Sequence, residues 1–306
     1  MIKRINRFGL STFSLILIFW VVGGAKAEEF HFDYQKIIDI TKPRLVNLEL
    51  VKGRVAVTGS EEKQIVIEAT KIVRASNKDE AEELGAHIEI KITEAGDQVA
   101  IVTNYLNLAG RNPSFWQKIL GGGSDVISDV AYKISLPFNC GLNIKALDAD
   151  VELANVESQV FIEKSTGLVK GEFIFGPVNI VQPMGQIDLQ WVEGDIQISS
   201  QSSNIVIRQT RGAIKLSSYN GNVDIHTELD SPAEYLVETT TGNINFAVPF
   251  TAAGALEMAT ETGQFTSQIP VEITTMARNR IVGTFGGGGT KVRLNSNSGS
   301  VVLAQF

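Results

Sequence analysis

Cysteine is almost absent from this chain: Cys140 is the only one in 306 residues. An internal disulfide is therefore excluded, and the fold must rest on burial and hydrogen bonding. Cys140 is also far from the N-terminus, so lipid attachment at a processed N-terminal cysteine is ruled out. It reads as a small buried hydrophobe, with an intermolecular disulfide as the alternative. Histidine is nearly as scarce. His31, His87 and His226 are scattered, and no His-x-x-x-His or Cys/His spacing suggests a metal site. His226 follows Ile225 and is expected to face solvent. Basic residues fall short of acidic ones, 27 against 34, and no basic cluster offsets the balance. That excludes nucleic acid as a partner and disfavours anionic lipid. After Val22 no apolar run approaches the roughly 20 residues that span a bilayer, so no membrane span is expected beyond the leader.

The first 27 residues do not belong to the folded body. Lys3, Arg4 and Arg7 precede an apolar stretch from Leu10 to Val22, and Ala25-Lys26-Ala27 ends it. This order of charge, apolar core and small-residue exit is that of a cleaved signal peptide, with an uncleaved anchor as the rival. Cleavage before Glu28 removes four basic residues and no acidic one. It leaves 23 Lys and Arg against 34 Asp and Glu, a formal charge of −11. The expected address is periplasmic, extracellular or otherwise in the cell envelope.

Between Cys140 and Leu229 the chain divides into ten uninterrupted units of nine residues. They begin CGLNIKALD, ADVELANVE, SQVFIEKST and end SNIVIRQTR, GAIKLSSYN, GNVDIHTEL. The first position is small in every unit, and it is glycine at Gly167, Gly176, Gly185, Gly194, Gly212 and Gly221. The third is always aliphatic, as in Val151, Val169, Ile187, Ile205 and Val223, and the fifth fails only at Gly171. Aliphatic residues two apart, with a polar one between, make a short strand with one buried face. The small residue before each strand suits a tight corner. No unit can bury its two aliphatics alone, but units stacked in register can, with ladders of aliphatics running along the axis. The expectation is an all-β chain whose centre is a β-solenoid. Two or three units per coil are equally compatible with the period.

The same turn-then-strand logic recurs elsewhere with looser spacing. Gly53 precedes Arg54-Val55-Ala56-Val57, Gly242 and Gly263 precede strands near the C-terminus, and Gly299 precedes Ser300-Val301-Val302-Leu303. Residues 28–135 form a β-rich N-terminal region with one short helix, capped by Asn77, carrying Asp79, Glu80, Glu82 and Glu83, and ending at Gly85. Gly96-Asp97 marks a hairpin turn. Residues 105–130 break the pattern. Phe115, Trp116, Ile119 and Leu120 lie between glycine-containing segments and suit either a cover over the solenoid or an exposed contact patch. The solenoid proper is assigned to residues 136–306, with a C-terminal cap. There Gly286 to Gly289 is either the turn of a terminal hairpin or a glycine loop. Lacking a following Lys-Ser/Thr, it is not a phosphate loop.

No catalytic set emerges. There is no Gly-x-Ser-x-Gly elbow, and Asp195 and Asp224 stand without the dense Gly/Asp turns of a calcium β-roll. Asp148, Asp150, Glu152, Asp188 and Glu193 are the carboxylates that a polysaccharide-acting β-helix enzyme would need on one face. Alternating polar residues are equally what any solvated strand shows. No cofactor is implied.

The assembled order resembles a bacterial family of unknown function whose members are described as adhesins built from β-strand repeats. The likeness is carried by Val51-Lys52-Gly53-Arg54-Val55-Ala56-Val57-Thr58-Gly59, by the acidic helix leading to Ile88-Glu89-Ile90, and by Tyr132-Lys133-Ile134-Ser135-Leu136-Pro137. The Gly-x-Ile-x-Ile ladder and the closing Ser298-Gly299-Ser300-Val301-Val302 complete it. It spans most of residues 44–306 and implies a β-solenoid with no catalytic residues to carry over. The expected function is a non-enzymatic exported envelope protein presenting a rigid solenoid surface for adhesion, scaffolding or assembly. Its partner would be an envelope protein, a glycan or itself. A self-polymerising, bactofilin-like solenoid is the alternative, and a polysaccharide-acting enzyme the third reading.

Overall fold

The computed structural model describes residues 28–106, 128–230 and 232–306. It is all-β apart from one helix. The nine-residue register becomes a coil of 18: Val178 aligns with Ile196 and Ile187 with Ile205, in parallel. Two units therefore make one coil, the first in one sheet and the second in a facing sheet. The strands β1 (Glu28–Asp39), β2 (Leu45–Ser60), β3 (Gln64–Ala75), β4 (Ile88–Ala95), β5 (Gln98–Tyr105) and β6 (Ser128–Pro137) form the N-terminal end. Next come β7 (Gly141–Val156), β8 (Val160–Thr166), β9 (Leu168–Phe175), β10 (Val178–Glu193), β11 (Ile196–Arg211), β12 (Ile214–Asn220), β13 (Val223–Thr227), β14 (Glu234–Thr241) and β15 (Ile244–Val248). Strands β2, β7, β10 and β11 run without a break through both sheets. Because β2 pairs with β7 along most of its length, the stacked coils begin well before the nine-residue repeat.

Each sheet contributes one ladder to a single core. In the first, Leu142, Val160, Val178, Ile196, Ile214 and Tyr235 succeed one another. In the second, Val55, Val151, Val169, Ile187, Ile205, Val223 and Ile244 do so. All are buried, and each contributes roughly 1.5–3 kcal/mol on burial. Gly171, the one gap at the fifth position, is filled by its neighbours. A Cβ there would lie 2.8 Å from Ile174 Cδ1 and 2.9 Å from Leu189 Cδ2.

Antiparallel strands finish both sheets at the N-terminal end and the first sheet at the C-terminal end, where the second sheet ends in a short parallel strand. At the N-terminal end β5 and β6 form the outermost coil beside β2. Strand β4 then borders β5, while β3 borders β6 and β1 borders β3, all antiparallel. Helix α1 (Lys78–Ala86) links β3 to β4 and buries Ala81, Leu84 and Gly85 over the end of the core. Asn77 Oδ1 accepts the Glu80 N–H at 2.9 Å, and the Glu80 carboxylate accepts the Ser76 N–H at 3.0 Å, two bonds that satisfy free donors at a helix start. Gly85 lies inside the last turn, pressed against Phe32, and His87 is the residue after the helix.

At the C-terminal end come β16 (Gly254–Thr260), β17 (Phe265–Ser267), β18 (Glu272–Ala277), β19 (Arg280–Phe285), β20 (Thr290–Ser298) and β21 (Val301–Gln305). The last coil in sequence, β20 and β21, slots between β14–β15 and β16–β17. Strands β19 and β20 do not pair with each other, because β16 lies between them. Gly286 to Gly289, all with positive φ, carry the chain across. The hairpin that finishes the first sheet is β18–β19.

Candidate functional site

The corners between the two sheets hold most of the polar chemistry, and most of it is structural. Gly53, Gly167, Gly185, Gly194, Gly212, Gly221 and Gly242 have positive φ at corners. Gly176, Gly263 and Gly299 do not, but a Cβ on any of them would come within 2.5 Å of a neighbouring coil's carbonyl oxygen. Beside the glycines, Asx side chains tie one coil to the next. Asp150 Oδ1 accepts from Leu168 N, Asp195 Oδ1 from Ala213 N, and Asn204 Oδ1 from Asn222 N. Asn222 and Asn243 continue the column.

Side chains at both corners also point inward and take up corner carbonyls. Gln182 Nε2 donates to Gly167 O and Met184 O, and Gln209 Nε2 to Gly194 O. Lys164 occupies the equivalent place one coil before Gln182, donating to Ala149 O and Leu168 O. It is buried, and desolvation lowers its pKa to about 8 against the pull of Asp150 and Asp148. Of the carboxylates that an enzyme would need, Glu152 and Asp188 stand in register on either side of Lys170, on one outer face. Asp150 serves the corner, Asp188 accepts from Gln190 Nε2, and Glu193 pairs with Arg211. Among the described residues no three His, Cys, Asp or Glu side chains gather as a metal site. His226 is not a free surface side chain: its ring stacks on Phe306 at 5.4 Å, and Asp224 Oδ1 lies 3.5 Å from Nε2. Burial and Arg208 lower its pKa.

One corner departs from this economy. Asn155, Phe173 and Trp191 have φ of 57°, 55° and 57°, the left-handed region. Each is the seventh residue of its unit, and they stand on successive coils: Glu172 aligns with Gln190 and Ile174 with Val192. Asn tolerates that conformation, whereas bulky side chains rarely adopt it. Phe173 and Trp191 are nonetheless 44% and 58% exposed, and Phe175 beside them is 45% exposed. Burial does not compensate for the strain. In the following coil the register shifts and the seventh residue, Gln209, turns inward.

Polar groups surround these rings. The Glu172 carboxylate pairs with Lys170 at 2.8 Å, Gln190 precedes Trp191 on its strand, and Glu193 and Arg211 lie beyond it. A shallow hollow of about 130 Å³, lined by Glu152, Ala154, Lys170 and Glu172, opens on the same outer face. A larger one of about 600 Å³ on the other sheet is bordered by Glu49, Lys145 and Glu163, without a comparable aromatic cluster. Sequence reasoning overlooked Phe173 and Trp191. The legible signal was an aromatic residue at the seventh position of alternate units, where nothing else in the period calls for one. Phe115, Trp116, Ile119 and Leu120 fall outside the described residues.

The profile of the Toastrack DUF4097 family matches residues 46–304. No curated protein matches the chain. Among solved structures, a candidate lipid-binding protein from Parabacteroides distasonis is 12% identical, covering 90% of this chain and 96% of its own, with a TM-score of 0.44. A candidate adhesin from Bacteroides fragilis is 11% identical over 92% of this chain and 99% of its own, with a TM-score of 0.35. A candidate cell adhesion protein from Clostridium sporogenes is 13% identical over 90% of this chain and 100% of its own, with a TM-score of 0.31.

Proposed function

The chain belongs to the Toastrack DUF4097 family, and from that premise we propose that it is a non-enzymatic exported protein of the cell envelope, whose rigid β-solenoid presents a lateral binding surface for adhesion. The observation that carries the reading is the pair of strained, solvent-exposed aromatic side chains on neighbouring coils, Phe173 and Trp191. Strain that packing does not repay belongs to positions selected for contact with something else. Export is supported by the order of charge, apolar core and small-residue exit in the first 27 residues. No helix among the described residues is long and apolar enough to cross a membrane.

End-to-end polymerisation is the less favoured reading, because α1 covers one end of the core and the β18–β19 hairpin extends past the other. A polysaccharide-acting enzyme is less favoured still, since Asp150, Asp188 and Glu193 each have a partner within the scaffold. Expression of the full chain in a bacterium, followed by fractionation and N-terminal sequencing, tests the proposal. The expected product lies in the envelope or medium and starts at Glu28. A cytoplasmic product that retains residues 1–27 would overturn it.

A further inference from the structure

We infer that the corner bearing Phe173 and Trp191 is a binding site for a neutral oligosaccharide, an assignment that rests on the lateral-surface reading and names its ligand class. Phe173 lies directly opposite Trp191, because Glu172 aligns with Gln190 and Ile174 with Val192 on adjacent parallel strands. Successive coils are roughly 4.8 Å apart, the separation of neighbouring strands and the scale of a single sugar ring. Two exposed aromatic side chains at that spacing offer consecutive platforms along the solenoid axis. The C–H bonds on the face of a pyranose are weakly positive, and an aromatic face is negative, so the two attract while both lose water-exposed apolar surface. Sugar hydroxyls at the ring edge both donate and accept hydrogen bonds. The corner supplies carboxylates in Glu172 and Glu193, the amide of Gln190 and the guanidinium of Arg211 within the same strip of surface.

The charge at the corner selects among occupants. Glu157, Glu172 and Glu193 stand on the coils that carry Asn155, Phe173 and Trp191. Lys170 and Arg211 are the bases paired with two of these carboxylates. With one carboxylate in excess of its bases, such a rim offers anionic lipid and polyuronate no net attraction. An uncharged sugar chain needs none. The left-handed backbone also has a purpose in this arrangement. It is a one-residue bulge that takes the side chain out of the inward/outward alternation of the strand and leaves it exposed.

The test uses the full chain, expressed with its leader and purified, titrated by calorimetry and by tryptophan emission, with Trp191→Ala separating the Trp191 signal from that of the other tryptophans. The probes are hexamers of β-1,4-linked glucose, β-1,4-linked N-acetylglucosamine and α-1,4-linked glucose. An α-1,4-linked galacturonate hexamer and phosphatidylcholine vesicles serve as the charged and lipid comparisons. At least one neutral hexamer is expected to bind, with at least tenfold weaker binding in Phe173→Ala and Trp191→Ala. Phe173→Asn and Trp191→Asn place at those positions the residue that Asn155 already supplies one coil earlier. They should lose binding to the same extent while Tm is unchanged or raised. Binding of none of the three neutral hexamers, preference for the galacturonate or the vesicles, or wild-type affinity in the alanine variants would each overturn the assignment. So would a fall of several degrees in Tm for the asparagine variants, which would mark the rings as structural. A chain that reaches the envelope but ignores every sugar defeats this inference and leaves the export reading standing. A chain that binds sugar but stays in the cytoplasm does the reverse.

Discussion

At the level of single residues, similar-looking glycines carry different constraints. Gly194, with φ of +154°, sits in a corner where a Cβ would lie 2.2 Å from Gly176 O and 2.5 Å from Gly176 C. Neither atom can move without shifting a neighbouring coil. Gly96, at φ +60°, turns the β4–β5 hairpin, and a Cβ there would meet nothing within 4 Å. Gly194→Ala is therefore expected to lower stability by roughly 2–4 kcal/mol through backbone displacement. Gly96→Ala should cost only about 1–2 kcal/mol, the intrinsic penalty of the left-handed conformation. Urea midpoints of the two variants decide the matter, and equal losses would show that close approach is not what the corner requires. The aromatic corner belongs to the same scale. Phe173 and Trp191 are legible as residues, but their backbone conformation is not, since nothing in a nine-residue period announces where a bulge falls.

Among elements, the inward polar column shows how a corner can be buried without leaving carbonyls unpaired. Gln182 satisfies Gly167 O and Met184 O with a neutral amide, and Lys164 satisfies Ala149 O and Leu168 O with an amine. Burial lowers the Lys164 pKa from 10.5 to about 8. Below pH 8 the amine is charged in both folded and unfolded chains, and the folded state bears the full desolvation penalty. As pH rises from about 8 towards 10.5, the folded amine gives up its proton while the unfolded one retains it, so stability rises with pH across that window. Tyr132, pushed up to about 12 by burial, acts in the opposite sense above pH 10, where its unfolded phenol begins to ionise. Lys164→Gln should preserve the two carbonyl bonds and flatten the rise between pH 8 and 10. Denaturation free energies of both proteins across that range test this, and a parallel rise in the variant would place its origin elsewhere.

For the whole molecule, the question is whether stacked coils end or continue. An open solenoid exposes both an apolar core and a row of unpaired backbone groups, which invites addition of another copy. Here α1 lies across the N-terminal end, and charged residues mark the outer strands β1 and β4, among them Glu29, Asp33, Glu89 and Lys91. At the other end the final coil in sequence is drawn into the stack, and β18, outermost, carries a register shift between Ile273 and Thr275 that spoils it as a template. Light scattering coupled to size-exclusion chromatography should find a monomer at every protein concentration. Growth with concentration would restore the polymerising alternative.

The class of fold was written in the chain itself, because a nine-residue alternation of Gly or another small residue, an aliphatic, a polar residue and an aliphatic has one economical solution in which every strand buries one face. So was the start of α1, since Asn77 and Glu80 act on backbone groups only a few residues away. That two units close a coil emerged from the assembled fold alone, because the period is set by local chain geometry whereas the number of faces depends on which coils meet. The insertion of β20 and β21 between earlier coils was likewise beyond reach: strands of similar pattern compete for the same ladder, and the choice among them is made by contacts distant in sequence. The candidate site was hidden for the same reason. Phe173 and Trp191 become neighbours only when an 18-residue coil brings the seventh positions of alternate units to one corner, and their exposure is a property of that corner rather than of either residue.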